Sequence, residues 1–569
     1  MAQAATQTIV SAPRQKAWFL RFDLWTSGII LVAVLAAVPV LTVVWLAFTP
    51  GDDIWQHLTS TVLPDYIKTT LTLMLGVGLG TIVLGVGSGW LVTMCRFPGK
   101  RIFEWALLLP MAMPAYVIAY VYTDILEYAG PIQNTLRDIF EWQTKRDYWF
   151  PEIRSVGGAT AMLTLVLYPY VYMLSRAAFL EQSVCVLEAS RVLGRGPWRS
   201  FFSVALPLAR PAIVIGVSLV LMETLNDFGT VDFFAVNTFT LGIFDVWMNM
   251  NNVAGAAKLA TLLLAFVMVL VLAERFARRK QRFHNTNSKY NDLPGYRLTG
   301  NKAFLATSGC LAIIFLGFIL PCAVLVSLAI SHFDDAANEV VFDHAVNSVM
   351  LSSLTAFLAV VIAIFMAYGV RIRGGKILSS MARLASMGYA VPGSVLAVGV
   401  MYVLGNVDNS IDAAMRDTFG ISTGLLFSGT IAAVTFGYLV RFLALSFGTV
   451  EASLAKVTPS MDGASRSLGH GPFSTMRKIH VPLIRSSVLT ASMLVFVDCM
   501  KELPLTTILR PFNFETLATF VHQYASDEQL GEASLAALGI VGFGIIPVIV
   551  LSFAIARSRP GHIGKGGAT

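Results

Sequence analysis

Charge is scarce in this sequence. Asp, Glu, Lys and Arg make up 13% of 569 residues, against 56% that are hydrophobic. A soluble chain of that length could not cover its surface with so few charges, so the class is integral membrane. Cysteine is sparse too: Cys95, Cys185, Cys310, Cys322 and Cys499 are scattered without C-x-x-C spacing, which speaks against a disulfide framework or a metal cluster. The pattern G-x-x-x-x-G-K-S/T is absent, so this chain does not bind and hydrolyse ATP by that route on its own. No H-E-x-x-H and no nucleophile–base pair stands out, which argues against a membrane enzyme.

What is present is a series of apolar runs. The first, about 29 to 48, is longer than the core of a cleaved leader and has no small-residue cleavage site. It matches the ~20 residues a spanning helix needs, and reads as an uncleaved first span. Further runs lie near 69–94, 104–124, 157–180, 207–226 and 256–275, then 303–331, 345–370, 379–404, 422–447, 482–500 and 533–556, which makes twelve. The net charge of +7 falls in short clusters between these runs. That is the positive-inside pattern and not a nucleic-acid surface. Arg14, Lys16 and Arg21 precede the first span; Arg96, Lys100 and Arg101 follow the second; Arg371, Arg373 and Lys376 follow the eighth; Arg557 and Arg559 close the chain. Alternate loops carry Asp52 and Asp53, Asp334 and Asp335, or Asp408 and Asp412. Both termini are therefore expected on the cytoplasmic side.

The chain also repeats itself. EASRVLGRGPWRSFFSVALPLARP, from Glu188 to Pro211, is answered by GASRSLGHGPFSTMRKIHVPLIR, from Gly463 to Arg485. Gly194, Gly196, Pro197, Pro207 and Arg210 meet Gly469, Gly471, Pro472, Pro482 and Arg485, each 275 positions on. Pro114 is matched by Pro392 and Asn237 by Asn513, with small drifts in register. Each copy predicts a helix–turn–helix elbow. A short helix ends at a left-handed glycine, a proline opens a second helix where its missing N–H has no partner anyway, and Pro207 or Pro482 ends or kinks that helix. The expected fold is all-α and polytopic. Residues 1–275 and 303–569 form two parallel halves of six spans, related by a pseudo-twofold axis along the membrane normal, with 276–302 as a basic cytoplasmic linker.

The elbow, with its E-A-A-like opening and V-x-L-P ending, resembles the coupling loop of inner-membrane permeases of binding-protein-dependent ABC importers. The phrases LPMAMPAYVIAYVY, LYPYVYMLSRAAFLEQS, NDFGTVDFFAVNTFTLGI and DCMKELPLTTILRPFNFETLAT are similar to the ferric-iron branch of fused double permeases. Related permeases for thiamine, phosphonates and polyamines share the architecture. The resemblance covers nearly the whole chain and implies a type I importer permease in a bacterial inner membrane. It implies two copies of a cytoplasmic ATPase that carry ATP-Mg, a periplasmic substrate-binding protein, and no cofactor on this chain. It assigns ATPase coupling to loops at about 181–206 and 448–481. The residues are Glu188, Ala189, Ser190, Gly194 and Pro207 in one half, and Asp462, Ala464, Ser465, Gly469 and Pro482 in the other. One departure stands out: Gly463 occupies the acidic position, and Asp462 comes one residue early. One residue turns a side chain by about 100° on a helix, so the two docking contacts are expected to differ. The rival architecture, a twelve-span secondary transporter, expects G-x-x-x-D-R/K after span two; CRFPGKR lacks the aspartate.

Charges inside spans are functional candidates by default. Glu223 lies 16 residues beyond Pro207, and Asp498 lies 16 beyond Pro482. Asp227, Lys501 and Glu502 follow about one turn later. One reading has these acids facing a central path and attracting a cation. The other has Asp498 and Lys501, three apart, simply pairing at the outer interface. Tyr116, Tyr120, Tyr122, Tyr168, Tyr170 and Tyr172 read first as packing or an interfacial belt and second as phenolate ligands. Arg176 and Arg441 read as orientation charges at inner span ends, and His480, opposite Ala205 in the repeat, as no metal ligand.

Overall fold

The computed structural model describes residues 23–49, 54–181, 196–279, 296–336 and 339–557. The main helices are α1 (Leu24–Ala47), α2 (Leu63–Met94), α3 (Ala115–Leu126), α4 (Val156–Glu181), α5 (Leu206–Asn226), α6 (Val253–Arg279) and α7 (Asn301–Ser331). They continue as α8 (Glu339–Arg373), α9 (Gly393–Phe419), α10 (Ile431–Leu454), α11 (Pro459–Ser467), α12 (Arg485–Met500) and α13 (Leu530–Arg557). Among the described residues the one extended pairing is a two-residue parallel bridge, Cys95–Arg96 with Tyr296–Arg297. Among the described residues ten helices are long and apolar enough to cross a membrane, and two bent pairs raise the number to twelve if each is one span.

The bends fall where hydropathy alone predicts straight spans. The run expected over 104–124 is broken by 89° between Lys100–Ala112 and Ala115–Phe140. The run expected over 379–404 is divided into Lys376–Ala385, a tight turn at Gly388–Ala390, and α9. One residue type causes both. Pro114 and Pro392 stand at the starts of α3 and α9 with ψ of 142° and 143°. A proline has no N–H to donate and keeps the residue before it out of the helical region. The tenth span starts later than expected, at Ile431, where the Thr430 hydroxyl accepts the Ala432 N–H at 3.2 Å and caps the helix.

The repeat persists in individual contacts. The Phe239 N–H donates to the Thr70 hydroxyl at 3.4 Å, and 278 residues on, the Leu517 N–H donates to the Ser348 hydroxyl at 2.7 Å. Ser175 donates to the Gly85 carbonyl of α2, and Ser446 to the Ala359 carbonyl of α8. Small residues permit this closeness. A Cβ on Gly85 would stand 2.8 Å from the Tyr172 nitrogen, and one on Gly89 2.8 Å from the Ser175 hydroxyl. Where lipid is as apolar as leucine, such close backbone packing is what joins helices.

The two halves are crossed over one another. α1 packs on α8, α9 and Lys376–Ala385, with Trp25 stacked on Phe365 at 4.8 Å. Conversely α7 lies on the first half, where the Tyr122 hydroxyl donates to the Leu316 carbonyl at 2.7 Å. Each first span thus reaches across onto the other half.

Candidate functional site

Two constructions answer to the residues singled out by the sequence: an elbow and a cavity. Of the first elbow, Glu188, Ala189, Ser190 and Gly194 lie outside the described residues. The second is described in full. α11 opens with Pro459 and ends at Gly469, whose φ is +77°. The His470 N–H reaches back to the Ser465 carbonyl at 3.1 Å and the Gly469 N–H to the Arg466 carbonyl at 3.0 Å. This is the Schellman pair that a left-handed glycine allows. Pro472 then begins a second short helix, as Pro197 does in the first half. The Ser465 and Thr475 hydroxyls bond at 2.7 Å and clip the two legs together.

Pro207 does not break its helix, contrary to expectation. A π turn at Phe201–Ala205 lets the Leu206 N–H bond to the Phe201 carbonyl, and the helix runs on from Trp198 to Asn226. The shifted ladder absorbs the missing donor, as π turns do inside α-helices. The matching π turn, Met476–His480, carries the helix through Pro482, but the chain then bends by 79° between Leu483 and Arg485. From Gly196 and Gly471 onward the two elbows are therefore alike up to the second proline and differ beyond it.

Asp462 faces inward. One oxygen meets the His480 Nε2 at 2.7 Å; the other accepts from the Arg371 Nε and Nη2 at 3.0 and 2.9 Å. Arg371 also donates to the Val457 carbonyl at 2.8 Å, so the last turn of α8 grips the elbow's base. Ala464, Gly469 and Pro482 are exposed, while Ser465 is buried. The tip presents Met461, Leu468 and Phe473 to the outside, and Trp198 and Phe202 do the same in the first half. Large apolar side chains on an otherwise polar knuckle mark an interaction surface.

The cavity lies where the ends of α5 and α12 meet. Glu223, Asn226 and Asp227 enter from one half; Asp498, Lys501, Glu502, Arg441 and Tyr389 enter from the other, and Tyr116 and Tyr170 complete the wall. All five residues proposed from sequence for a path thus line one space, of about 760 Å³ with its open mouth included. Asp498 pairs with Lys501 at 3.0 Å, and both residues line the cavity. Glu502 is bonded to the Arg441 Nη1 at 2.9 Å and accepts from the Leu505 and Thr506 N–H groups at 3.1 Å. Asp227 does the matching capping work, accepting from the Thr230 hydroxyl at 3.0 Å and the Val231 N–H at 3.2 Å. Asn226 joins the halves by accepting the Gly393 N–H at 2.7 Å.

Arg441 corrects the sequence reading. It is no orientation charge at a span end, since it is 4% exposed and sits midway along α10. An arginine inside TFGYLVRFLALSFG was itself the signal, because a charge amid apolar residues needs a partner. Arg176 is likewise paired, with Glu104 at 3.3 Å. Most of the tyrosines pack: Tyr168 and Tyr172 donate to the Leu107 and Glu104 carbonyls at 2.7 and 3.0 Å, and Tyr120 bonds His522 at 2.6 Å. Tyr116 and Tyr170 are the exceptions that face the cavity. Among the described residues no three His, Cys, Asp or Glu side chains converge to hold a metal.

Residues 81–282 match the family described as binding-protein-dependent transport system inner membrane component. The Fe(3+)-transport system permease protein FbpB 2 of Haemophilus influenzae is 28% identical over 86% of this chain and 90% of its own length. The ferric transport system permease protein FbpB of Actinobacillus pleuropneumoniae is 21% identical over 85% of this chain and 69% of its own. The molybdenum transport system permease protein ModB of Escherichia coli is 27% identical, and 88% of it aligns with 36% of this chain, as a single permease would with one half of a fused pair. A multi-pass helical body, an elbow repeated in the sequence and these likenesses point the same way: over residues 81–282 the chain is similar to the binding-protein-dependent transport system inner membrane components.

Proposed function

We propose that this chain is a membrane-spanning part of an ATP-driven importer that passes ferric iron from a periplasmic binding protein to the cytoplasm. The observation that carries the reading is the cavity between the halves, where acids at matched repeat positions meet. The relatives that align over both halves are named for ferric transport, which favours iron over the cargo of the half-length ones. The acidic surplus, four carboxylates against two cations, suits a cation.

In this reading two copies of an ATPase subunit grip the two elbows from the cytoplasmic side, where both termini also lie. ATP and Mg are held by that partner, and this chain holds no cofactor. Twofold partners need two similar docking sites; Glu188, Ala189, Ser190, Gly194 and Pro207 would serve one, and Ala464, Gly469 and Pro482 the other. Ser465 shapes the second elbow from within by its bond to Thr475, and Asp462 anchors it to α8. When ATP draws the partner dimer together, the elbows are carried with it and the crossed halves rock about the cavity, which opens outward to the docked binding protein and then inward after hydrolysis.

The test is reconstitution of this chain in vesicles with its co-purifying ATPase and candidate binding proteins, comparing uptake of ferric iron with that of thiamine. ATP-dependent accumulation of iron is expected. Accumulation driven by a proton or sodium gradient with no ATPase present would overturn the mechanism, and preference for thiamine would overturn the cargo.

A further inference from the structure

Where α2 ends, a two-residue parallel bridge ties the chain to the segment leading into α7, and the bridge sets two like charges side by side. Cys95 is paired with Tyr296, and Arg96 with Arg297. Cys95 is buried and Tyr296 half-buried, while both arginines face out. Paired strands stand roughly 4.8 Å apart, so the backbone holds two guanidinium stems at a spacing where like charges repel. The Leu298 N–H donates to the Arg96 carbonyl at 3.1 Å, and the Thr307 hydroxyl to the Pro98 carbonyl at 3.2 Å, which fastens the two segments further. Among the described residues no acid lies within ion-pair distance of Arg96 or Arg297, nor of the exposed Arg101 and Lys302 that follow them in their two segments. Glu104, the acid of the short helix Lys100–Ala106, is taken by Arg176 at 3.3 Å.

The second half shows the same corner neutralised from within. Where α8 ends, Arg371 is paired with Asp462, and Arg373 with Asp23, the residue that caps α1. α7 is the counterpart of α1 in the crossed packing, and its approach carries Arg297 and Lys302 where α1 has an acid. The surroundings say where the missing counter-charge comes from. Lys100–Ala106 packs against the start of α7, and the two helices leave Ile102 and Trp105, Phe304 and Leu305 exposed close to the arginines in sequence. Side chains of this kind on a spanning protein face hydrocarbon, with tryptophan at the level of the headgroups. We propose that Arg96 and Arg297, flanked by Arg101 and Lys302, hold the phosphate of an anionic phospholipid whose acyl chains lie along Trp105 and Phe304. Arginine suits the task, because its planar fork bonds two phosphate oxygens at once. The lipid then joins the end of α2 to the start of α7, as Asp23 joins α1 to α8.

The full chain in neutral detergent is titrated with phosphatidylglycerol or phosphatidylcholine, and retained lipid is counted by native mass spectrometry. Wild type is compared with Arg96→Gln/Arg297→Gln, Arg96→Lys/Arg297→Lys and Arg373→Gln. Wild type is expected to bind phosphatidylglycerol at least tenfold more tightly than phosphatidylcholine, and the double glutamine variant to lose at least fivefold of that affinity. The double lysine variant, which keeps the charge without the fork, should lose less than threefold. Arg373→Gln, at the corner that has its own acid, should change binding less than twofold. Unchanged phosphatidylglycerol binding in the double glutamine variant overturns the proposal, as does an equal loss in Arg373→Gln or equal binding of the neutral lipid. Full displacement of the lipid by millimolar inorganic phosphate overturns it too, since the pair would then be a site for a soluble anion. Should the double glutamine variant fail to fold, as judged by gel filtration, Arg297→Gln decides alone, with a two- to fivefold loss expected and no loss overturning. Transport plays no part in this readout, so failure of the importer reading would leave the lipid site standing.

Discussion

Arg441 and Glu502 form the most deeply buried ion pair among the described residues, with side chains 5% and 2% exposed. Burial of two charges is tolerable only while each compensates the other, and removal of one partner typically costs about 3–5 kcal/mol. Arg441→Met should therefore lower the thermal unfolding midpoint markedly in nanodiscs. Arg441→Met with Glu502→Gln should restore most of it, because the amide keeps an acceptor for the Leu505 and Thr506 N–H groups without the stranded charge. Equal stability of the single variant and wild type would mean that water reaches the pair. A subtler change makes the same point from outside. A Cβ on Gly393 would press on the Arg441 Nη1 and stand 2.8 Å from a Glu502 oxygen, so Gly393→Ala should cost about 1–3 kcal/mol by overpacking, read in the same melt. Much of this was legible in the sequence. The acids at 223, 227, 498 and 502 share a register and do share a cavity. Arg441 was misplaced because its span, taken as 422–447, in fact begins at Ile431, which moves the arginine from the inner end toward the middle. Tyr389 gave no signal, as nothing in a linear pattern shows that a turn after Lys376–Ala385 points its tyrosine at another half.

The elbow shows how far local chemistry can be read from residue type. The left-handed glycine, the proline opening the second leg and the paired short helices all follow from the pattern, and Gly469 has the geometry proposed for its counterpart Gly194. Pro207 was misjudged because the rule that proline breaks helices assumes an α ladder, and a π turn just before it removes the conflict. Asp462 looked from sequence like a displaced docking acid; its tie to Arg371 and His480 needed the third dimension. That tie should govern how the elbow moves. Asp462→Asn and Arg371→Gln are each expected to speed amide exchange over Pro459–Thr475, and the double variant should be little worse than either alone, since both remove one link. In the assembled importer either change should lower ATPase stimulation by the binding protein severalfold. Gly469→Ala acts elsewhere in the same element. A left-handed alanine costs about 1–2 kcal/mol, so this variant should loosen the turn while the Asp462 anchor stays protected from exchange. If Gly469→Ala left exchange across the elbow unaltered, the turn would not be what holds the two legs in register.

At the scale of the whole molecule, the crossed packing of α1 and α7 changes what the two halves are. A linear reading divides the chain near 276–302 into two bodies of six spans. In the folded chain, each first helix stays packed on the last helix of its own body and also reaches across onto the other body. Gly399 of α9 shows how close the exchange is, because a Cβ there would press directly on the Pro39 carbonyl of α1. On the other side, Gly317 of α7 lies against Pro110, where a Cβ would stand 3.0 Å from its ring. Rocking of the halves must therefore keep α1 and α7 in touch with both bodies, and the covalent linker between them has little mechanical work to do. The consequence is a definite expectation for a divided chain. If the polypeptide is cut within 280–295 and the two pieces are expressed together, a tag on residues 1–285 should retain residues 286–569 through detergent extraction, with a melt close to that of the intact protein. Expressed alone, each piece would expose the face its partner's first helix normally covers, and should aggregate or be degraded. Deletion of residues 1–49 should abolish retention of the second piece more completely than loss of the linker does, because α1 and not the linker fastens the halves. Two pieces that folded separately and failed to associate would show that the crossed helices are not the fastening, and the rocking unit would then have to be sought within each half.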